Sequence, residues 1–477
     1  MRRTKIVATL GPASLEREVL AAMIRAGLDV ARLNTSHGDL DSHVRAVALV
    51  REVAAAENRH IAVLMDLGGP KIRTGGTLDG LPLILEKGAT LTLTGPAPEP
   101  CTPTRVSIDY PRLREDVAPG QRVLLDDGNI ELRVNAVTPD GLECEVIDGG
   151  PLLPRRGVSF PSSRLNLGAL TPRDRLAINA GISSGIDYFA QSFVGSAEDL
   201  IETRNLLRSL GANTPIIAKI ERRQAVEDLE SILAEADGAM VARGDLGVEL
   251  PPEDVPIHQR AILAAAGRRL LPVITATQML ESMVHSPRPT RAEVSDVANA
   301  TWALSDALML SEETAIGQYP VETVAMMDRI IRRAEAAFPA ELDGSRQPRA
   351  DNHSYVIAQA ARRIVESDIN MRGIVCFTMS GRTAGLVSKV HPNAPIFALS
   401  PKESVCRKLA LARGVVPILV PLVHSSEEML QTADRVLTAR GYMREGEEVV
   451  VVASLPVQAV GATNFVKLHR VGESSAY

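Results

Sequence analysis

At 477 residues the chain exceeds what one ordinary hydrophobic core supports, so two or more domains are expected. Apolar residues make up 45% and charged residues 23%, a balance that excludes whole-chain disorder. With 52 basic against 58 acidic residues the net charge is -6, which gives no support for nucleic acid or an anionic membrane as a partner; an anionic substrate must be held by a local cluster of cations.

The chain begins Met1-Arg2-Arg3, but the apolar run at residues 6–10 is cut by Gly11-Pro12 and is too short for a signal segment. No stretch reaches the ~20 apolar residues of a spanning helix, so no membrane segment is expected. Short, largely apolar runs then alternate with amphipathic helical patterns. The runs lie at residues 5–9, 30–34, 62–67, 188–194, 215–220, 238–243, 272–277 and 307–311, as strands buried on both faces require. Helical patterns at 15–26, 43–57, 196–210 and 254–268 separate them. Eight strand-then-helix units predict a (β/α)8 barrel of the TIM type.

The alternation breaks between Asp66 and about residue 170. Strand-like segments at 90–94, 105–108, 121–125, 130–137 and 142–147 are divided by Asp127-Gly128, Pro139-Asp140-Gly141 and Gly149-Gly150. They predict a small β-barrel inserted after the third barrel strand, placed as a lid. A polar stretch with Pro339, Gly344 and Pro348 reads as a linker. Beyond it, runs at 373–378, 395–400, 415–420, 448–454 and 465–471 predict an open-sheet α/β domain. The expected division is 1–69 with 169–340 for the barrel, 70–168 for the insert, 341–352 for the linker and 353–477 for the C-terminal domain. The four cysteines, Cys101, Cys144, Cys376 and Cys406, form no C-x-x-C pair, so neither a zinc site nor a disulfide framework is expected, and a reducing cytoplasm suits them.

Polar residues gather where the predicted barrel strands end: Asn34, Asp66, Ser192, Lys219 with Glu221, Arg243 with Asp245, Thr277 and Ser311. That end of a barrel is where active sites lie. Lys219 and Glu221, two residues apart on a strand, point the same way. Glu221 and Asp245 come from neighbouring strands, and two carboxylates with substrate oxygens suit Mg²⁺. Gly244 lets backbone approach a ligand. Taken alone, each fragment reads better as an ordinary Lys–Glu ion pair or Gly-Asp turn. Arg32, in Arg32-Leu33-Asn34-Thr35-Ser36-His37-Gly38, can grip a phosphate with two donors. The run from Asp66 to Gly75 offers glycines for a phosphate cradle or a hinge, and Thr277 can hydrogen-bond a carboxylate. In the C-terminal domain, Thr378, Ser380, Arg382 and Thr383 stand at a strand-to-helix junction suited to phosphate.

In this order, residues 4–14 (TKIVATLGPAS), 31–38, 69–75, 217–221, 240–249, 275–283, 287–300 and 309–315 resemble the pyruvate kinase family, and the resemblance spans nearly the whole chain. It implies transfer of the phosphoryl group of phosphoenolpyruvate to ADP, giving pyruvate and ATP in glycolysis. By that resemblance Glu221 and Asp245 ligate Mg²⁺ or Mn²⁺, and a second Mg²⁺ arrives with ADP. Lys219 stabilises the phosphoryl group in flight, with Arg32 and Arg73 holding it. Gly244, Asp245 and Thr277 hold the carboxylate, and Thr277 and Ser311 take part in protonating the enolate. Arg32, Asn34 and His37 lie near the nucleotide, and Asp127 closes toward it with the lid. The Thr378–Thr383 segment takes a sugar phosphate or nucleotide monophosphate effector, and the chain is a cytoplasmic homotetramer with residues 287–293 near a subunit boundary.

One departure from the family pattern carries a consequence. Many members need K⁺ and have Asp-Thr-Lys-Gly-Pro-Glu where this chain has Asp66-Leu67-Gly68-Gly69-Pro70-Lys71. The Lys71 ammonium can supply the charge that K⁺ otherwise brings, so K⁺ is expected to be dispensable; with Lys71 in solvent, Asn34, Ser36 and Asp66 would remain available to K⁺. Gly195 also stands where the family has a basic residue. Other readings are a Mg²⁺-dependent lyase or aldolase acting through a pyruvate enolate, a phosphotransferase using phosphohistidine, and a non-catalytic sugar-phosphate sensor. The inserted domain and the Arg32 motif argue against the first, and the presence of Arg32, Lys219, Glu221 and Asp245 argues against the last.

Overall fold

The computed structural model describes residues 1–337, 353–456 and 463–473. The linker expected at 341–352 lies outside the described residues. The chain lays down β1 (Lys5–Thr9), β2 (Val30–Asn34) and β3 (Ala62–Leu67), and leaves for the insert. There it forms β4 (Leu83–Leu85), β5 (Thr90–Thr94), β6 (Arg105–Ser107), β7 (Arg122–Leu125), β8 (Ile130–Thr138), β9 (Gly141–Asp148), β10 (Gly150–Leu152) and β11 (Val158–Ser159). It then returns for β12 (Tyr188–Gln191), β13 (Ile216–Ile220), β14 (Gly238–Ala242), β15 (Val273–Ala276) and β16 (Ala307–Leu310). These and the first three strands close into a parallel barrel in the order β1-β16-β15-β14-β13-β12-β3-β2.

Every barrel strand position but Asn34 is buried, which is why the strands read as unbroken apolar runs. Side chains such as Val7, Leu64, Ile217, Met240, Ile274 and Met309 fill the interior, while a larger cluster joins the strands to the helices around them. Several strands stop earlier than the sequence predicts. Phe193, Thr277 and Gln278 take positive φ (57°, 69° and 54°), which turns the chain out of the sheet and aims these residues at the barrel mouth.

The expected β-barrel insert takes the form of a six-stranded sheet, β11-β7-β8-β9-β5-β6, and a separate β10-β4 pair around one apolar core. β4, β10 and β11 are only two or three residues long and carry no periodicity that a sequence reading can use. The C-terminal domain is a five-stranded sheet, β19-β18-β17-β20-β21, from Ile396–Ser400 (β18), Met371–Phe377 (β17), Val415–Leu419 (β19), Glu448–Ala453 (β20) and Phe465–Arg470 (β21), with only β21 antiparallel. Helices cover both faces and divide its core in two.

A repeated device closes the barrel floor, the end away from the mouth. An aspartate precedes every second strand: Asp29 before β2, Asp187 before β12, Asp237 before β14 and Asp306 before β16. Each accepts, through Oδ2, the N–H of a residue at the foot of the neighbouring strand: Ile6 at 2.9 Å, Val63 at 2.8 Å, Ile216 at 2.9 Å and Val273 at 2.8 Å. The same aspartates donate their own N–H to the carbonyls of those four residues. Every aspartate also has a cation: Arg2 on Asp29, Arg51 and Arg407 on Asp187, Arg204 on Asp237 and Lys389 on Asp306. Arg407 and Lys389 belong to the C-terminal domain, whose Ala410 and Leu411 also join the barrel's interior cluster. The floor is therefore plugged by the domain that follows it.

Asp29 is nearly buried and faces Arg2, Lys5 and Arg59 within 4 Å. Its replacement by alanine leaves those cations and the Ile6 N–H without a carboxylate. Asp29→Ala should cost about 3 kcal/mol, read as a fall in the first thermal transition by scanning calorimetry.

Candidate active site

The mouth of the barrel holds a buried charge cluster built from the ends of five strands. The Lys219 ammonium, at the end of β13, lies 2.7 Å from Glu221 Oε1 and 3.3 Å from Asp66 Oδ1, and donates to Ser192 Oγ at 2.7 Å. Asp66, near the end of β3, also accepts from Arg32 Nε at 2.7 Å and from Ser192 Oγ at 3.3 Å. The second arm of Arg32 donates to Thr9 Oγ1 at 2.8 Å. Glu221 Oε2 accepts the Phe193 N–H at 2.8 Å. The left-handed turn at Phe193 is what brings that N–H to the carboxylate.

The electrostatics follow from this packing. Burial opposes charge on Lys219, but Asp66 and Glu221 outweigh it and push the ammonium upward, so it stays charged. Burial likewise opposes the Asp66 carboxylate, yet Lys219 and Arg32 hold it below its ordinary range. Glu221 goes the other way: burial, with the nearby charge of Asp245, raises it despite Lys219. Two carboxylates whose charges oppose each other beside the cleft offer the oxygen donors that a hard cation takes. Glu221 and Asp245 therefore fit Mg²⁺ or Mn²⁺, hard ions that take few protein oxygens and keep several waters.

Beside the cluster opens a cleft of about 1280 Å³, lined on one side by Gly244, Asp245, Thr277, Gln278, Ser311 and Glu313, and on the other by Lys71 and Asp127 of the insert. Thr277 Oγ1 accepts the Gly244 N–H at 2.7 Å. Thr277 is β-branched and left-handed, a costly backbone state. Arg243 holds it there by donating to the carbonyls of Thr277 (2.8 Å) and Ala276 (3.3 Å), with Asp296 fixing the guanidinium at 2.8 Å. Glu313 accepts the N–H groups of Ser311 at 2.6 Å and Leu280 at 3.2 Å, joining the ends of two more strands; burial pushes its carboxyl up.

The structure brings together Arg32, Asp66, Lys219 and Glu221, and sets Gly244, Asp245, Thr277 and Ser311 along one wall. Asn34 and Ser36 stand next to Asp66 and Gly68, with Asn34 Oδ1 accepting the Ser36 N–H at 3.1 Å. Leu67 packs into the barrel shell. His37 is exposed, its carbonyl 2.8 Å from His43 Nε2. Lys71 does not join Asp66: the carboxylate nearest its ammonium is Asp127 at 3.8 Å, inside the insert. Arg73 is not with Lys219 either; its guanidinium donates to the Arg155 carbonyl at 3.3 Å. In the C-terminal domain Thr378, Ser380, Arg382 and Thr383 line a separate cavity of about 210 Å³. Sequence reasoning passed over Thr9, Glu313 and the buttressing role of Arg243. A Thr inside an apolar run, or one Glu in the polar turn Ser311-Glu312-Glu313-Thr314, gives no signal of its own, whereas Ser192 was visible as one more polar strand end.

A closed parallel barrel with charged groups at the carboxyl ends of its strands, and an insert facing them across a cleft, is the architecture of a barrel enzyme. Its family follows from comparison with known proteins. The family model "Pyruvate kinase, barrel domain" matches residues 1–324, and "Pyruvate kinase, alpha/beta domain" matches residues 356–469. The chain is 44% identical to pyruvate kinase 2 of Synechocystis over 98% of its own length and 79% of the relative's. It is 41% identical to the pyruvate kinase of Mycobacterium tuberculosis, covering 99% of each chain. The crystal structure of a pyruvate kinase from Cryptosporidium parvum superposes with a TM-score of 0.92 at 33% identity, covering 98% of this chain and 96% of that one. The chain belongs to the pyruvate kinase family.

The donor set makes a binding prediction independent of turnover. Glu221→Gln and Asp245→Asn should each weaken Mn²⁺ binding at least about tenfold, measured by the electron paramagnetic resonance of free Mn²⁺.

Proposed function

We propose that this protein is a cytoplasmic glycolytic enzyme that transfers the phosphoryl group of phosphoenolpyruvate to ADP, giving pyruvate and ATP. The observation that carries this reading is the buried Lys219 ammonium held between Asp66 and Glu221 beside Arg32. Phosphoryl transfer needs positioning and neutralisation of charge more than covalent chemistry, and this cluster supplies both. Lys219 and Arg32 hold the phosphoryl oxygens, with Arg73 reaching in when the insert closes. Gly244 and Asp245 N–H groups and the Thr277 hydroxyl orient the substrate carboxylate. Thr277 and Ser311 lie along the route by which the enolate carbon gains its proton. Asn34, His37 and Asp127 flank the nucleotide. Mg²⁺ on Glu221 and Asp245 supplies Lewis-acid neutralisation of the substrate's charge, and a second Mg²⁺ comes with ADP.

Lys71 replaces the monovalent cation in this reading. Its ammonium lines the same cleft as Asp245 and Thr277, and Leu67 offers no side-chain oxygen for K⁺ beside Asn34, Ser36 and Asp66. The Thr378–Thr383 segment binds a phosphorylated effector, a sugar phosphate or a nucleoside monophosphate. Supporting this, Gly381 at the entry of the Arg382–Lys389 helix has φ 88° and donates its N–H to Thr378 Oγ1 at 2.9 Å, shaping a tight loop over the cavity. The working units are 1–69 with 169–340, 70–168 and 353–477, joined by a linker at 341–352. They assemble as a homotetramer, consistent with exposed Val294 and Trp302 on the helix that follows residues 287–290.

Pyruvate formation from phosphoenolpyruvate and ADP with Mg²⁺ should proceed at full rate in tetramethylammonium buffer without K⁺, and chelation of Mg²⁺ should abolish it. Activity that appears only on adding KCl would retain the kinase and remove the role of Lys71. No pyruvate in either buffer would overturn the reading. Lys219→Met should lower kcat by about 10³-fold or more while Mn²⁺ still binds. Arg382→Ala should abolish the shift in phosphoenolpyruvate saturation produced by ribose 5-phosphate, fructose 1,6-bisphosphate or AMP, whichever of the three shifts the unmodified enzyme.

A further inference from the structure

The four floor aspartates are not held alike. Asp237, which ties the foot of β13 to β14, takes its cation from Arg204 of the barrel's own helix at 2.9 Å. The strands it joins carry Lys219 and Glu221 and lead to Asp245. Asp306 is held by the other domain. Its Oδ2 accepts the Val273 N–H at 2.8 Å and the Lys389 ammonium at 2.6 Å. Its carbonyl accepts the Lys5 N–H at 2.8 Å, and its N–H donates to the Val273 carbonyl at 3.0 Å. Asp306 thus gathers β1, β15 and β16 at their feet. The upper ends of those strands carry Thr9, which receives Arg32, Thr277, which receives the Gly244 N–H, and Ser311.

Both partners are buried, with 7% of the Lys389 side chain and 2% of the Asp306 side chain exposed. Asp306 Oδ1 has no hydrogen-bond partner among the described residues, so the carboxylate leans on Oδ2 and on this ammonium. Lys389 ends the Arg382–Lys389 helix, which begins at the Thr378–Thr383 segment. A helix of that length spans ~12 Å, and a strand such as β16 spans a similar ~13 Å. Helix, ion pair and strands form a continuous stack from the C-terminal cavity to one wall of the cleft. Asp187 repeats the arrangement: Arg407 reaches it at 3.1 Å, and the Tyr188 hydroxyl donates to the Lys408 carbonyl at 2.8 Å.

We propose that Lys389 is a positioning residue for the barrel's reaction: through Asp306 it sets β1, β15 and β16, and with them Arg32, Thr277 and Ser311, while the metal side on β13 and β14 is set within the barrel by Arg204. The strands on the substrate side are therefore answerable to Lys389, whereas the feet of β13 and β14 are tied within the barrel by Asp237 and Arg204. The kinetic form of this inference rests on the reaction proposed above; its structural form rests on the ion pair alone.

The test uses the full-length protein. Lys389→Met should raise KM for phosphoenolpyruvate about fivefold or more, leave Mn²⁺ affinity within about twofold, and be rescued by Lys389→Arg. Hydrogen exchange should quicken in peptides spanning β1, β15 and β16, with those spanning β13 and β14 unchanged. If Lys389→Met does not fold, Lys389→Gln, which keeps a donor and drops the charge, carries the same readouts. An unchanged KM with unchanged exchange overturns the proposal, as does a loss in which KM, Mn²⁺ affinity and exchange in all barrel strands move together. Absence of any pyruvate-forming activity in the unmodified protein would instead strike the reaction, and the exchange pattern would still decide the link.

Discussion

A single buried ammonium organises the mouth of this barrel. Lys219 sits almost wholly out of water, where its charge is tolerable only because Asp66 and Glu221 flank it and Ser192 accepts a further hydrogen bond. Each of those partners is fixed in turn. Asp66 is shared with Arg32, Arg32 with Thr9, and Glu221 with the Phe193 backbone. The positive-φ turn at Phe193, the burial of Ser192 and the placement of Arg32 follow from keeping one lysine charged inside the protein. For phosphoryl chemistry the consequence is a pair of cations, Lys219 and Arg32, already fixed in place by folding, which need not reorganise when an anion arrives.

The opposite end of the barrel answers to a similar constraint. Parallel strands leave backbone N–H groups exposed at their feet, and a closed barrel has no room there for a solvent shell. Asp29, Asp187, Asp237 and Asp306 satisfy those groups on alternate strands, and each carboxylate, buried in all but Asp237, is matched by a cation. Two of these cations are Arg407 and Lys389 of the C-terminal domain. Ala410 and Leu411 enter the interior alongside them. The domain is therefore part of the barrel's own solution to burial, with electrostatic and apolar contacts arriving together.

The cleft lies at the mouth and is bounded on its far side by a less constrained partner. Lys71 and Asp127 reach it from the insert, at side chains that are one-third and two-thirds exposed respectively. Among the described residues no helix is long and apolar enough to cross a membrane.

The sequence by itself determined the strand and helix succession of the barrel, because strands buried on both faces must be apolar throughout and helices between them must be amphipathic. It also determined that Lys219, Glu221, Arg32, Asp245 and Thr277 lie at one end, because strand ends in a parallel barrel converge whatever their distance along the chain. The short strands β4, β10 and β11 escaped it, since two or three residues carry no period. Only the tertiary structure decided which charge meets which: that Asp66 serves both Arg32 and Lys219, that Lys71 faces Asp127 instead of Asp66, and that Arg73 turns to Arg155. Local sequence fixes where a side chain starts, but a buried ion pair is chosen among all charges the fold brings within reach. The aspartates before alternate strands show the same division. Each was plainly present in the sequence as Asp29, Asp187, Asp237 and Asp306, yet their common role appears only when closure of the barrel sets each beside its neighbour's first N–H.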